Sequence, residues 1–168
     1  MTLPSYAGIH LAVTHLPVVT AMLAATTLAL AALRRSPALQ RFGLALLLVA
    51  GLTTIPAFFT GEGAEEIVED RPGVSEAVIE RHEEAAEVAL VLLLAGAASA
   101  ASALLATRLR RSSAARALFF VALLLSLANT VALGWVAHLG GQIRHDEIRV
   151  GTAPVHATAS RRGVSADD

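Results

Sequence analysis

The sequence predicts an all-α integral membrane protein, a bundle of four transmembrane helices with both termini on the outer side. Three observations carry this. Of the 168 residues, 55% are hydrophobic and only 16% are charged, against about 25% charged in an ordinary water-soluble domain, and the mean hydropathy is +0.61. The apolar residues are gathered into four blocks, each about as long as a helix must be to cross a hydrocarbon core of about 30 Å. The charges are also sorted. Arg34, Arg35 and Arg41 follow the first block and Arg108, Arg110, Arg111 and Arg116 follow the third, with no acid among them, whereas most Asp and Glu lie between Gly61 and Glu87. Short basic connections stay on the cytoplasmic side, which puts the acidic connection and both termini outside.

The first span covers about 9–33 and closes at Arg34-Arg35-Ser36-Pro37, a basic turn in which proline cannot continue the preceding helix. Span two, about 42–60, carries Pro56 near its end and stops at the Gly61-Glu62-Gly63 break. Its Thr53 and Thr54 hydroxyls are available to carbonyls that Pro56 frees. A charged helical segment from about Ser75 leads into span three, about 86–107. Within it Ala95–Ala103 is an unbroken run of Ala, Gly and Ser, so a neighbouring helix can approach any face closely. Span four, about 117–139, ends at Gly140-Gly141, where the chain can turn back over the bundle. Residues 1–151 form the four-span domain and residues 152–168 a flexible polar C-terminal tail. Met1–Gly8 carries no basic residue ahead of the apolar run, so span one reads as a retained helix rather than a cleaved signal.

Composition excludes several chemistries. The chain has no cysteine and no lysine, which removes disulfides, thiolate metal sites, Schiff bases and a P-loop lysine. No dinucleotide-binding, Walker, zinc-protease or nucleophile-elbow motif is present, and no independent catalytic activity is expected. Aromatic residues are 4% of the chain and the arginines sit in short membrane connections, so nucleic acid is not an expected partner.

The histidines are the residues with chemistry to offer, and His10, His15, His82, His138, His145 and His156 all fall on the outer side. A rotation of about 100° per residue places Glu76, Glu80, Glu83, Glu84 and Glu87 in one acidic stripe, and His82 on the opposite face with Val78, Ile79, Ala85, Ala86 and Ala89. The stripe is a solvated or headgroup-level surface in the plain reading, and a contact for a basic partner in the sharper one. His10 and His15 are about 140° apart and roughly 7.5 Å along the axis. An ionisable side chain inside a span is a functional candidate by default. His15 meets that criterion better than His10, which can serve as an interface anchor beside Tyr6. His138 closes span four next to Trp135, and the Gly140-Gly141 turn brings His145 over the same region. Asn129 lies near mid-membrane, about 180° around the helix from His138, and is expected to hydrogen-bond between helices.

His10-Leu-Ala-Val-Thr-His15-Leu-Pro17, Ile55-Pro56-Ala57-Phe58-Phe59-Thr60-Gly61, His82, and Leu139-Gly140-Gly141 followed by His145 together resemble a family of bacterial membrane proteins called "domain of unknown function twenty-two thirty-one", over about residues 8–151. Members show a His-x4-His-x-Pro first helix and a Gly-Gly turn followed by His or Arg, then Gly-Val. His10, His15, Pro17, Gly140, Gly141 and His145 occupy those positions, and Val150-Gly151 echoes the last. The acidic Glu62–Glu87 stretch and Asp146-Glu147 depart from the pattern. The resemblance implies four transmembrane helices and a setting beside redox proteins, because some relatives occur with Rieske-type domains; in a bacterial inner membrane the sorted arginines make both termini periplasmic.

Three functions follow as expectations. In the first, His15 and His82, with His10, His138 or His145 as further candidates, bind b-type haem near the outer leaflet for electron transfer to quinone or a periplasmic redox partner. In the second, the histidines and Glu83, Glu84 or Glu87 hold a non-haem metal. In the third, the protein is a non-catalytic scaffold or assembly subunit. There the histidines only hydrogen-bond, and the small-residue face of span three meets a partner helix or a second copy in a homodimer.

Overall fold

The computed structural model describes residues 6–69 and 74–144, and within them the chain is four α-helices: α1 (Tyr6–Arg34), α2 (Pro37–Val68), α3 (Glu76–Arg108) and α4 (Ser112–Arg144). All four are long and apolar enough to cross a membrane. The expected tail, residues 152–168, and His145 lie outside the described residues.

The helices alternate in direction, so the arginine turns share one end of the bundle and the histidines the other. α1–α2 and α3–α4 form the tightest pairs, α2–α3 is the main seam between these hairpins, α1–α4 is lighter, and α1 does not meet α3. The interior is built from small side chains: Ala21, Ala24, Ala31, Ala50, Ala100 and Ala122 are fully buried around Leu28, Leu47 and Leu93. Leu11, Leu33, Leu52, Phe59, Val91, Leu124 and Val131 face outward. Cohesion therefore comes from close backbone approach rather than from bulky apolar residues, the arrangement that suits helices surrounded by lipid.

Both hairpins bury the same positions at one constant offset in numbering. Ala21, Ala24, Ala25, Leu28 and Ala31 of α1 correspond to Gly96, Ser99, Ala100, Ala103 and Ala106 of α3. Leu44, Leu47, Gly51 and Thr54 of α2 correspond to Phe119, Ala122, Ser126 and Asn129 of α4. The turns repeat as well. Arg35 (φ 50°) and Arg110 (φ 56°) take the left-handed conformation after α1 and α3, and the next amide reaches back across the last helical turn, Ser36 N to Ala31 O at 3.2 Å and Arg111 N to Ala106 O at 2.9 Å. Ser36 then caps α2 through Leu39 N, with Pro37 in the first turn, a position where its missing N–H costs nothing.

Two expected helix ends do not occur. α2 runs through Gly61-Glu62-Gly63 to Val68, and α4 runs through Gly140-Gly141 to Arg144. The glycines are not hinges here but notches. A Cβ on Gly63 would lie 3.0 Å from the Tyr6 ring, one on Gly61 would lie 3.6 Å from His10 Cε1, and one on Gly140 would lie 3.2 Å from His82 Cε1. Interhelical packing at each notch outweighs the roughly 1 kcal/mol that glycine costs in a helix, and the Glu-rich segment after Gly63 has good helix propensity of its own. At 32–33 residues and about 1.5 Å each, α2, α3 and α4 exceed a ~30 Å core by several turns.

Candidate histidine site at the bundle mouth

The histidine end has two inward-facing rings, one per hairpin. His10 is half-buried between α1 and α2, with Nδ1 3.1 Å from Thr60 Oγ1. The Thr60 hydroxyl donates its own proton to Ala57 O at 2.9 Å, so it accepts from His10, and His10 carries its proton on Nδ1. His82 is half-buried between α3 and α4, with Nδ1 3.1 Å from Val136 O. A carbonyl only accepts, so this ring is the same tautomer. In both, Nε2 keeps its lone pair.

The other described histidines face away. His15 is exposed and its Nδ1 bonds Leu11 O of its own helix. His138 is exposed as well, with Nε2 2.9 Å from Gln142 Nε2 and its ring 5.5 Å from that of Trp135. His15, expected beside His82, is on the exposed side of α1, and the inward-facing rings are His10 and His82, one on each hairpin. Pro17 does not swing His15 inward, because α1 stays helical through it and Pro17 itself takes the buried position.

A metal centre would need further donors. Among the described residues no three His, Asp or Glu side chains come together. Glu83, Glu84 and Glu87 are exposed on α3, and Glu83 instead meets Glu65 at the end of α2. Haem would need a flat slot between opposed imidazoles. His82 is instead seated in the Gly140 notch, and His10 lies against Gly61. Both inward rings are thus engaged by contacts within their own hairpins.

Mid-bundle, Asn129 is fully buried. Its Nδ2 donates to Leu92 O of α3 at 3.2 Å, as expected of an interhelical bond, while Oδ1 has no partner among the described residues. Ser99 of α3 answers from the other side, donating to Leu118 O of α4 at 3.1 Å.

Comparison with protein-family models, curated proteins and solved structures finds no match.

The Thr60 contact is testable with an isosteric change. Thr60→Val keeps the volume and leaves His10 Nδ1–H without its acceptor. Because interhelical hydrogen bonds in membranes average about 0.6 and reach about 1.7 kcal/mol, stability in reversible detergent unfolding is expected to fall by about 1 kcal/mol. No change would mean that the bond does not hold the α1–α2 mouth.

Proposed function

We propose that this protein is a non-catalytic membrane scaffold or assembly subunit that docks a partner transmembrane helix along α3. One observation carries the reading. The bundle turns only half of the Ala95–Ala103 run inward, where Gly96, Ala97, Ser99, Ala100 and Ala103 are buried. Ala95, Ala98, Ala101 and Ser102 face out, between the larger Val91 and Leu105. Ser102 donates to Ala98 O of its own helix at 2.8 Å, so the stripe is small and has no hydroxyl left to donate. An outward stripe of this kind lets a second helix approach to backbone contact, the main attraction available between helices in lipid.

The partner's chemistry follows from the rest of the same face. Glu76, Glu80 and Glu87 lie above Ala98 on one side of α3 and are exposed. Two parallel copies of α3 would set these carboxylates against each other, so the reading favours a different chain with basic residues outside its span. In this reading the histidine end is the outer face of a bacterial inner membrane, and His10 and His82 pin the two hairpin mouths. Ala98→Leu is expected to release the partner, so that the complex isolated from native membranes falls to the mass of this chain alone with α-helical content unchanged. A complex that survives Ala98→Leu, or one containing only copies of this chain, would sink the reading.

A second reading has one observation in its favour. The shared tautomer of His10 and His82 leaves two Nε2 lone pairs in one mouth, the state in which imidazole ligates a metal while its other nitrogen is held by a second group. A transition metal bound there would take its remaining ligands from solvent or from a redox partner. Protein purified from haem-sufficient cells decides it. The scaffold reading expects no Soret band and no stoichiometric iron, copper or zinc. A Soret band or bound metal lost in both His10→Ala and His82→Ala would establish the metal site.

A further inference from the structure

We infer that the cleft between α3 and α4 at the histidine end is a binding site for a zwitterionic phospholipid with a primary-amine headgroup. The cleft has a volume of about 310 Å³ and is lined by Arg81, Glu84, Ala85 and Val88 of α3 and by Ala132 and Trp135 of α4. Its lining divides by chemistry along the bundle axis. Arg81 and Glu84 stand at the rim, one turn apart on the same face. The half-buried Ala85 and Ala132 lie at the floor, with the exposed Val88 on one side and the half-exposed Trp135 indole on the other.

Charge complementarity selects the occupant. Arg81 lies among Glu76, Glu80, Glu83, Glu84 and Glu87 of α3, yet no ion pair engages it or Glu84 among the described residues. A guanidinium binds phosphate oxygens in a planar, two-pronged geometry, and Glu84 beside it accepts hydrogen bonds from an ammonium. A headgroup carrying phosphate and a primary amine satisfies both. An anionic headgroup leaves Glu84 opposed, and a quaternary ammonium cannot donate to it. Trp135 is the single tryptophan of the chain, and an indole at this level donates to ester carbonyls while its ring packs on chain methylenes.

The floor continues in the direction an acyl chain would take. One to two turns further along the same faces come Leu92 and Ala95 of α3 and Ala128 of α4, and Ala95 and Ala128 are exposed. In the inferred site an acyl chain runs along these small side chains from the headgroup toward the middle of the spans. The acyl path shares Ala95 with the partner stripe centred on Ala98, whereas the headgroup contacts, Arg81, Glu84 and Trp135, lie outside that stripe.

Because Trp135 is the only tryptophan, its fluorescence reads the cleft alone. The full chain is reconstituted in phosphatidylcholine vesicles doped with a low mole fraction of acyl-brominated phosphatidylethanolamine, phosphatidylglycerol or phosphatidylcholine. At equal fraction, brominated phosphatidylethanolamine is expected to quench Trp135 at least threefold more efficiently than either of the others. Arg81→Gln and Glu84→Gln should each bring it down to the phosphatidylcholine level, with unchanged α-helical content. Equal quenching by all three lipids in the unaltered protein would mean ordinary boundary lipid and overturn the site. Preferential quenching by phosphatidylglycerol, or a phosphatidylethanolamine preference that survives Glu84→Gln, would overturn the headgroup assignment.

Discussion

Gly51→Val is expected to cost the bundle about 3 kcal/mol or more and to separate the two hairpins. Gly51 is buried where α2 comes closest to α3. A Cβ built there would lie 2.5 Å from Ala97 Cβ and 3.0 Å from the Leu93 carbonyl oxygen. Neither neighbour is the far end of a flexible side chain, so relief requires the helix axes to part, and overpacking a core without room to give typically costs about 1–3 kcal/mol, occasionally more. Alanine already meets the clash; valine adds two methyl groups to it. The location can be confirmed by a rescue, because Ala97→Gly removes the nearer contact and should recover a large part of the Gly51→Ala loss while costing stability by itself. Reversible unfolding in mixed detergent reads both effects. Wild-type stability in Gly51→Val would mean that α2 and α3 do not pack through this point.

Asn129→Asp is the second large effect. The substitution removes the amide that donates to Leu92 O and places a carboxylate at a fully buried position near the centre of the span. A carboxylate at the centre of a membrane helix costs roughly 2.5–3.5 kcal/mol on insertion scales, and here it also faces a carbonyl with no donor between them. The bundle should lose about 3 kcal/mol at neutral pH and recover most of it on acidification, since protonation removes the charge and restores a donor for Leu92 O. Asn129→Leu is the control. It gives up a bond of the order of 1 kcal/mol but also removes the unpartnered Oδ1, whose burial is itself costly, so the net change should stay within about 1 kcal/mol. An equal loss in both variants would show that the hydrogen bond, rather than the charge, dominates at this site.

The helical frame was legible in the sequence because lipid imposes it. Four apolar blocks, joined by two short arginine turns and one acidic connection, leave few alternatives once every backbone amide must be satisfied within its own segment. The ends were less legible. Gly61, Gly63, Gly140 and Gly141 resembled helix stops, but that local preference is about 1 kcal/mol per residue. Whether a ring from another helix occupies the space beside a glycine is tertiary information. The histidines show the same limit. His15, next to Pro17 and deeper in the span, looked the stronger candidate, yet it faces outward. A signal for His10 was nevertheless present. Pro17, Ala21, Ala24, Leu28 and Ala31 trace one buried stripe, and His10 extends it at a spacing of two turns; His82 stands in the same relation to Ala89. Reading the small residues first would have put His10 inside. The correspondence between hairpins is not legible in the sequence either, because what recurs between α1–α2 and α3–α4 is small-residue placement rather than residue identity.

The α3 stripe can be interrogated directly in the native membrane. A photo-crosslinking amino acid is placed at Ala98, in the outward small-residue stripe, and in a separate protein at Leu124, which is lipid-exposed on α4. A docked helix predicts one discrete adduct with a different membrane protein from position 98, none from position 124, and loss of that adduct when Ser102→Leu fills the stripe beside it. Identical lipid-only patterns from both positions, or an adduct at 98 that joins two copies of this chain, would contradict the account.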